Sequence, residues 1–117
     1  MSHAKAFSTQ VSKTIMSDEK SQELVIFLRM MSKKGFFSVL KYVRVQENVS
    51  YNEVLKYAID NKIVESKASI TIILNGLTNL GLLERSVLAS RPIRTNYNVT
   101  RNGQTVIKKF MELESLF

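Results

Sequence analysis

Between Arg85 and Lys109 the chain carries Arg85, Arg91, Arg94, Arg101, Lys108 and Lys109 and no Asp or Glu. Cations with no acid beside them keep their field for an external partner, and the natural partner of such a surface is a polyanion. The excess is concentrated. Seventeen Lys and Arg stand against ten Asp and Glu, for a net charge of +7, with seven basic and three acidic residues in 24–62 and five basic and none acidic in 91–109. Other chemistries find no residues to run on. His3 is the only histidine and lies in the leading segment, and there is no cysteine, so a histidine-centred base, a thiolate nucleophile, a zinc site and a disulfide framework have no material. The four glycines, Gly35, Gly76, Gly81 and Gly103, form no phosphate-cradling loop. Neither catalysis nor a cofactor is expected.

These cations must be held by a scaffold of limited size. With 117 residues and 44% apolar content, the chain can bury one core but not two ordinary ones. Residues 1–16 read as a flexible arm, in which Phe7, Val11 and Ile15 recur four apart and would pack on a partner subunit if ordered. A single domain is expected over 17–117. Ser17-Asp18-Glu19 has the form of a helix start, followed by Leu24, Phe27, Leu28 and Met31 at helical spacing, and Lys33-Lys34-Gly35 of a stop. Phe36, Phe37, Val39, Leu40, Val43 and Val45 form the next apolar stripe, up to Gln46-Glu47-Asn48. Ser50-Tyr51-Asn52-Glu53 has the capping-box pattern and opens a helix with Val54, Leu55, Ala58 and Ile59. Ser66 caps a longer helix with Ile70, Leu74 and Leu77 on one face and Gly81 as terminator. Leu83–Leu88 and Thr95–Val99 are β-capable runs joined by Ala89-Ser90-Arg91-Pro92-Ile93-Arg94, where Pro92 marks the tip. Thr100 caps a last helix bearing Val106, Ile107, Phe110 and Leu113.

Three helices, a hairpin with arginines at its tip and a closing helix describe a winged helix-turn-helix. The fold class is mainly α with a small β-hairpin wing (α+β), with extra N- and C-terminal helices. The longest apolar run, Leu24–Leu28, is far short of the ~20 residues a membrane span needs. With no signal-peptide pattern at the front, a cytoplasmic, nucleoid-associated protein is expected.

Phe36–Gln104, about 70 of the 117 residues, resembles the winged-helix transcription regulators of the HxlR type within the MarR-like group. Gly81-Leu82-Leu83-Glu84-Arg85 is similar to the Gly-Leu-Val-Glu-Arg run that leads into that family's wing. The run from Arg91-Pro92 through Tyr97-Asn98-Val99-Thr100 to Gly103 is similar to the run that leaves it. Asn52-Glu53-Val54-Leu55 sits where the family has Phe-x-Glu-Leu. The resemblance implies DNA binding. Two departures limit it: the cysteine usual in that family's leading segment is missing, so redox sensing is not implied, and the third helix lacks the family's outward Arg and Gln.

A winged helix places the first half of its third helix in the major groove and its wing on the flanking backbone or minor groove. The outward positions are then Ser66, Lys67, Ser69, Thr71, Ile72 and Asn75. Asn75 suits adenine and Ile72 a thymine methyl, which gives an A·T-leaning preference. Arg91 and Arg94 at the tip, and Arg85 nearby, are expected to grip phosphates or enter a narrow minor groove. Lys33, Lys34, Lys41 and Arg44 are candidates for further phosphate contacts. Ile72 and Ile73 admit a second reading as an apolar face, buried against the first helix or a partner, or serving as the docking surface of a protein–protein adaptor. The apolar residues of the first and last helices exceed what one core can cover, so a homodimer through those helices is expected.

Overall fold

The computed structural model describes residues 18–89 and 91–117; the leading arm and the Ser17 cap lie outside them. The chain divides into two compact units, one ending at Met31 and the other running Ser32–Phe117.

In the first unit, α1 covers residues 18–31. Its run Leu24, Val25, Ile26 and Leu28 is 40–57% exposed.

In the second unit, α2 (Phe36–Gln46) is followed by β1 (Val49–Ser50), α3 (Tyr51–Asp60), α4 (Lys67–Asn79), β2 (Leu83–Leu88), β3 (Arg94–Val99) and α5 (Arg101–Glu114). Gly35 begins α2 as its N-cap rather than ending the helix before it, with φ +95. A Cβ there would also meet Ile63 Cγ2 at 2.7 Å and Ile73 Cδ1 at 2.8 Å, so conformation and space both require glycine. Helix α2 then buries Phe36, Val39, Leu40 and Val43 at positions one turn apart. Val45, placed on that stripe by the sequence, is 75% exposed; it lies about 200° around the helix from Val43 and cannot share its face.

The other helices start as their capping residues dictate. Ser50 Oγ accepts the Glu53 amide at 3.2 Å, and Ser66 Oγ accepts the Ser69 amide at 3.3 Å. Helix α4 buries Ile70, Ile73, Leu74 and Leu77, and α3 contributes Val54 and Ala58 to the same core. Ile59 of α3, read as part of that stripe, stays 44% exposed. Burying each Val, Leu or Ile side chain of this core contributes about 1.5–3 kcal/mol.

The sheet has three antiparallel strands in the order β1-β3-β2, one more than the sequence indicates. Two residues are too few for an alternation signal, and β1 exists because Glu47 (φ 51) and Asn48 (φ 47) turn the chain so that Val49 meets Tyr97 and Ser50 meets Asn96. The Asn48 amide donates to Asn98 Oδ1 at 2.6 Å, and Asn98 Nδ2 donates back to Asn48 Oδ1 at 3.4 Å. Strand β3 starts at Arg94, opposite Leu88, so Arg94 belongs to the ladder and not to the turn.

Thr100 joins the hairpin base to α5. Its Oγ1 accepts the Gly103 amide at 3.0 Å and donates to the Gly81 carbonyl at 2.6 Å. Thr100→Val is expected to remove both bonds and cost about 1–2 kcal/mol, read as a lower urea midpoint at unchanged slope. An unchanged midpoint would contradict this.

Candidate nucleic-acid interface

Helix α4 turns one side to the core and leaves the other to solvent. At 100° per residue, Ile70, Ile73, Leu74 and Leu77 cluster on one side, and Ala68, Thr71, Ile72, Asn75 and Asn79 on the other. All five of the latter are exposed, and so are Ser66 and Lys67 at the helix start; Ser69 is half-buried on the flank. Ile72 is 64% exposed whereas Ile73 is 4% exposed. The proposed Ile72/Ile73 docking face therefore does not exist as a pair: Ile73 is core, because it falls within 60° of Ile70 and Leu77 around the helix.

Both flanks of this outward face carry further residues. On one side Lys33 and Lys34 line a cleft of ≈ 360 Å³ together with Ser69 and Ile72. On the other, the Tyr51 hydroxyl at the start of α3 donates to the Lys67 carbonyl at 3.3 Å and lies 2.8 Å from Thr71 Oγ1. Residues Ser50–Glu53 in turn line a cleft of ≈ 420 Å³ with Pro92, Ile93, Arg94 and Thr95 of the hairpin tip. A continuous surface thus runs from Lys33 and Lys34 across α4 and the α3 start to the tip. Among the described residues Glu53 is the one acid lining the tip cleft, and Glu65 lines the cleft beside Lys33 and Lys34.

The ladder register sorts the arginines. Cross-strand partners share a face, so Arg94 lies on the face of Leu88, Ser86 and Asn96, while Arg85, directly opposite Tyr97, lies on the other. Arg91 is exposed in the turn and Arg94 at the end of the ladder. Arg85 lies directly opposite Tyr97 in the ladder, and its charge acts on the Tyr97 phenol.

Other expected cations lie elsewhere. Lys41 Nζ sits 4.4 Å from the Phe37 ring centroid, and Phe37 packs edge-on against Phe110 of α5 at 5.2 Å. Arg44 opens onto a groove of ≈ 770 Å³ with Arg101, Gln104 and Lys108. Arg101 follows the hairpin base, five residue pairs or about 17 Å along the strands from the tip. Lys41 and Arg44 therefore belong with α5, and the cations beside α4 are Lys33 and Lys34. Tyr51 was not legible as part of this surface, because nothing in a capping-box sequence says which neighbouring helix its phenol will reach.

Burial raises the pKa of the Tyr97 phenol above its usual 10.0; the charge of Arg85 opposes the shift without cancelling it, and Tyr51 adds to it. Tyr42, stacked on Tyr57 at 3.9 Å, is raised by burial, then by Glu53 and Tyr57. Both phenols keep their protons longer folded than unfolded. Their contribution to stability is therefore complete below the unfolded value of 10.0 and is lost as pH rises through the higher folded values. Urea midpoints are expected to be flat from pH 8 to 9.5 on this account and to fall above it; a rise would contradict it.

No protein-family model matches the sequence, and no curated protein matches it. Solved structures do. The reduced form of the transcriptional regulator YodB from B. subtilis superposes with a TM-score of 0.67 at 16% identity, over 80% of this chain and 86% of that one. A PadR family transcriptional regulator from Eggerthella lenta gives 0.62 at 19% identity, over 87% and 88%. The MepR–DNA complex of S. aureus gives 0.61 at 16% identity, over 91% and 83%. The winged-helix fold is what the chain shares with them.

Proposed function

We propose that this chain is a sequence-preferring regulator of transcription that binds double-stranded DNA. Helix α4 enters the major groove through Ser66, Lys67, Ser69, Thr71, Ile72 and Asn75, and Arg91 and Arg94 at the hairpin tip hold backbone or minor groove. The observation that carries this reading is the surface described above, with the outward face of α4 at its centre, Lys33 and Lys34 at one end and Arg91 and Arg94 at the other. A helix fits the major groove of B-DNA, and phosphates line both edges of that groove. Lys33 and Lys34 are assigned to one edge and the tip to the other. Arg85, Lys41 and Arg44 would contribute at the periphery. The MepR neighbour was solved bound to DNA, which supports the reading, as does the resemblance of Gly81–Arg85 and Arg91–Gly103 to the HxlR type.

The working unit is proposed to be a homodimer. Helix α1 exposes Leu24, Val25 and Ile26, and the end of the chain exposes Met111, Leu113, Leu116 and Phe117. A second copy covering these faces would remove an apolar patch that monomers rarely tolerate. Two α4 helices would then meet half-sites about 34 Å apart. Ultracentrifugation at micromolar concentration is expected to show a dimer, and a monomer alone would end this part of the proposal. Among the described residues no helix is long and apolar enough to cross a membrane, in keeping with the proposed place on the nucleoid in the cytoplasm.

An adaptor role keeps only Ile72 of its two docking residues and is the weaker reading. Heparin retention with elution at high salt and gel shifts of short duplexes are expected. A stable co-purifying protein with no duplex shift would favour the adaptor instead.

A further inference from the structure

The start of α3 carries a device that fixes the hydrogen-bonding polarity of one residue on the outward face of α4. Thr71 is exposed there, one turn after Lys67 and one turn before Asn75. Its Oγ1 lies 2.8 Å from the Tyr51 hydroxyl, and that hydroxyl also reaches the Lys67 carbonyl at 3.3 Å.

A phenol has one proton to give, a carbonyl can only accept, and a threonine hydroxyl has one proton and two lone pairs. The bond to the Lys67 carbonyl uses the phenol proton. Both contacts can be hydrogen bonds at once only with the Thr71 proton donated to the Tyr51 oxygen. What remains of Thr71 toward solvent is lone pairs alone. A threonine free to turn its hydroxyl suits a donor or an acceptor equally and discriminates little between bases; a threonine whose proton is committed does not have that freedom.

In the major groove adenine and cytosine present an amino donor, and guanine and thymine present a carbonyl acceptor. An acceptor-only Thr71 is attracted to the former and repelled by the latter. We infer that Tyr51 is a positioning residue that locks Thr71 as an acceptor, so that the base it meets on the nearer strand is adenine or cytosine rather than guanine or thymine. This rests on the proposal that α4 reads the major groove. It adds a rule for one position that the identity of Thr71 alone does not supply, and it leaves phosphate contacts untouched.

The test is selection of bound duplexes from a random pool by the wild-type protein, Tyr51→Phe and Thr71→Ala. The wild-type protein is expected to enrich adenine or cytosine over guanine and thymine at one position of each half-site by about 3- to 10-fold, the worth of one hydrogen bond. In Tyr51→Phe the preference at that position should fall below about 2-fold, with the other positions and the salt dependence unchanged, since freeing one hydroxyl alters no charge. Thr71→Ala should lose preference at the same position, and it decides the matter if Tyr51→Phe does not fold.

A uniform loss of affinity in Tyr51→Phe with the preference intact would mean that Tyr51 only braces α4, and would overturn the inference. So would a wild-type protein that binds duplex without any such position, or a Thr71→Ala protein that keeps it; in both cases the DNA-binding reading stands. A wild-type protein that binds no duplex at all removes that reading, and the inference with it.

Discussion

Replacing Arg91 and Arg94 together by alanine is expected to lower duplex affinity about 60-fold per subunit at 0.1 M salt and to reduce the slope of log affinity against log salt by about 2. The magnitude follows from counterion release. Each phosphate neutralised contributes about 0.9 to the slope, so two contacts contribute about 1.8 decades between 1 M and 0.1 M salt. Both side chains are exposed at the hairpin end, so the core, which is built from α2, α3, α4 and the sheet base, does not depend on them. The variant should melt with the wild-type protein while losing affinity for all sequences alike. Fluorescence anisotropy across a salt series reads both effects. Affinity equal to wild type at every salt concentration would remove the hairpin tip from the interface.

Gly103→Ala is expected to have the largest effect on stability. A Cβ at Gly103 would collide with the Leu82 carbonyl oxygen and would lie 2.6 Å from Val99 Cγ1. That carbonyl cannot move aside, because it accepts the Thr100 amide at 3.0 Å, the bond that closes the hairpin base where α5 begins. The strain must lift α5 from the sheet or break this bond, at about 2–3 kcal/mol. For a unit of this size such a loss lowers the melting temperature by about 10–20 °C. Gly81→Ala is the control. Its φ is +75 and nothing lies within 4 Å of an added Cβ, so only the conformational cost of about 1 kcal/mol applies. A Gly103→Ala protein melting with the wild type would show that the close approach of α5 to Leu82 is not a constraint.

What the sequence disclosed was the chemistry that acts over four residues. Ser50, Ser66 and Thr100 each accept the amide three residues on, because a cap is satisfied by its own helix and needs nothing from the rest of the chain. The arginine-bearing hairpin was legible for the same reason: two β-capable runs and a proline between them are a local pattern. Side-chain fates that depend on packing angles were not legible. Ile72 and Ile73 are neighbours of the same type, yet one is exposed and the other is core, and the difference is one 100° step around α4. Lys41 and Arg44 sit on the same helix as core residues and turn toward α5, while Lys33 and Lys34, before that helix, come to lie beside α4. Strand β1 was missed because two residues carry no periodicity, and Tyr51 because its bond to Thr71 joins two helices.

A salt series with a fluorescently labelled duplex is the decisive test of the proposal that the surface formed by α4, the α3 start and the hairpin tip clasps duplex DNA. With about three to five phosphates neutralised per subunit, a dimer should give a slope of about −5 to −9. A duplex that does not bind even at low ionic strength, or binding that is indifferent to salt, would contradict the account.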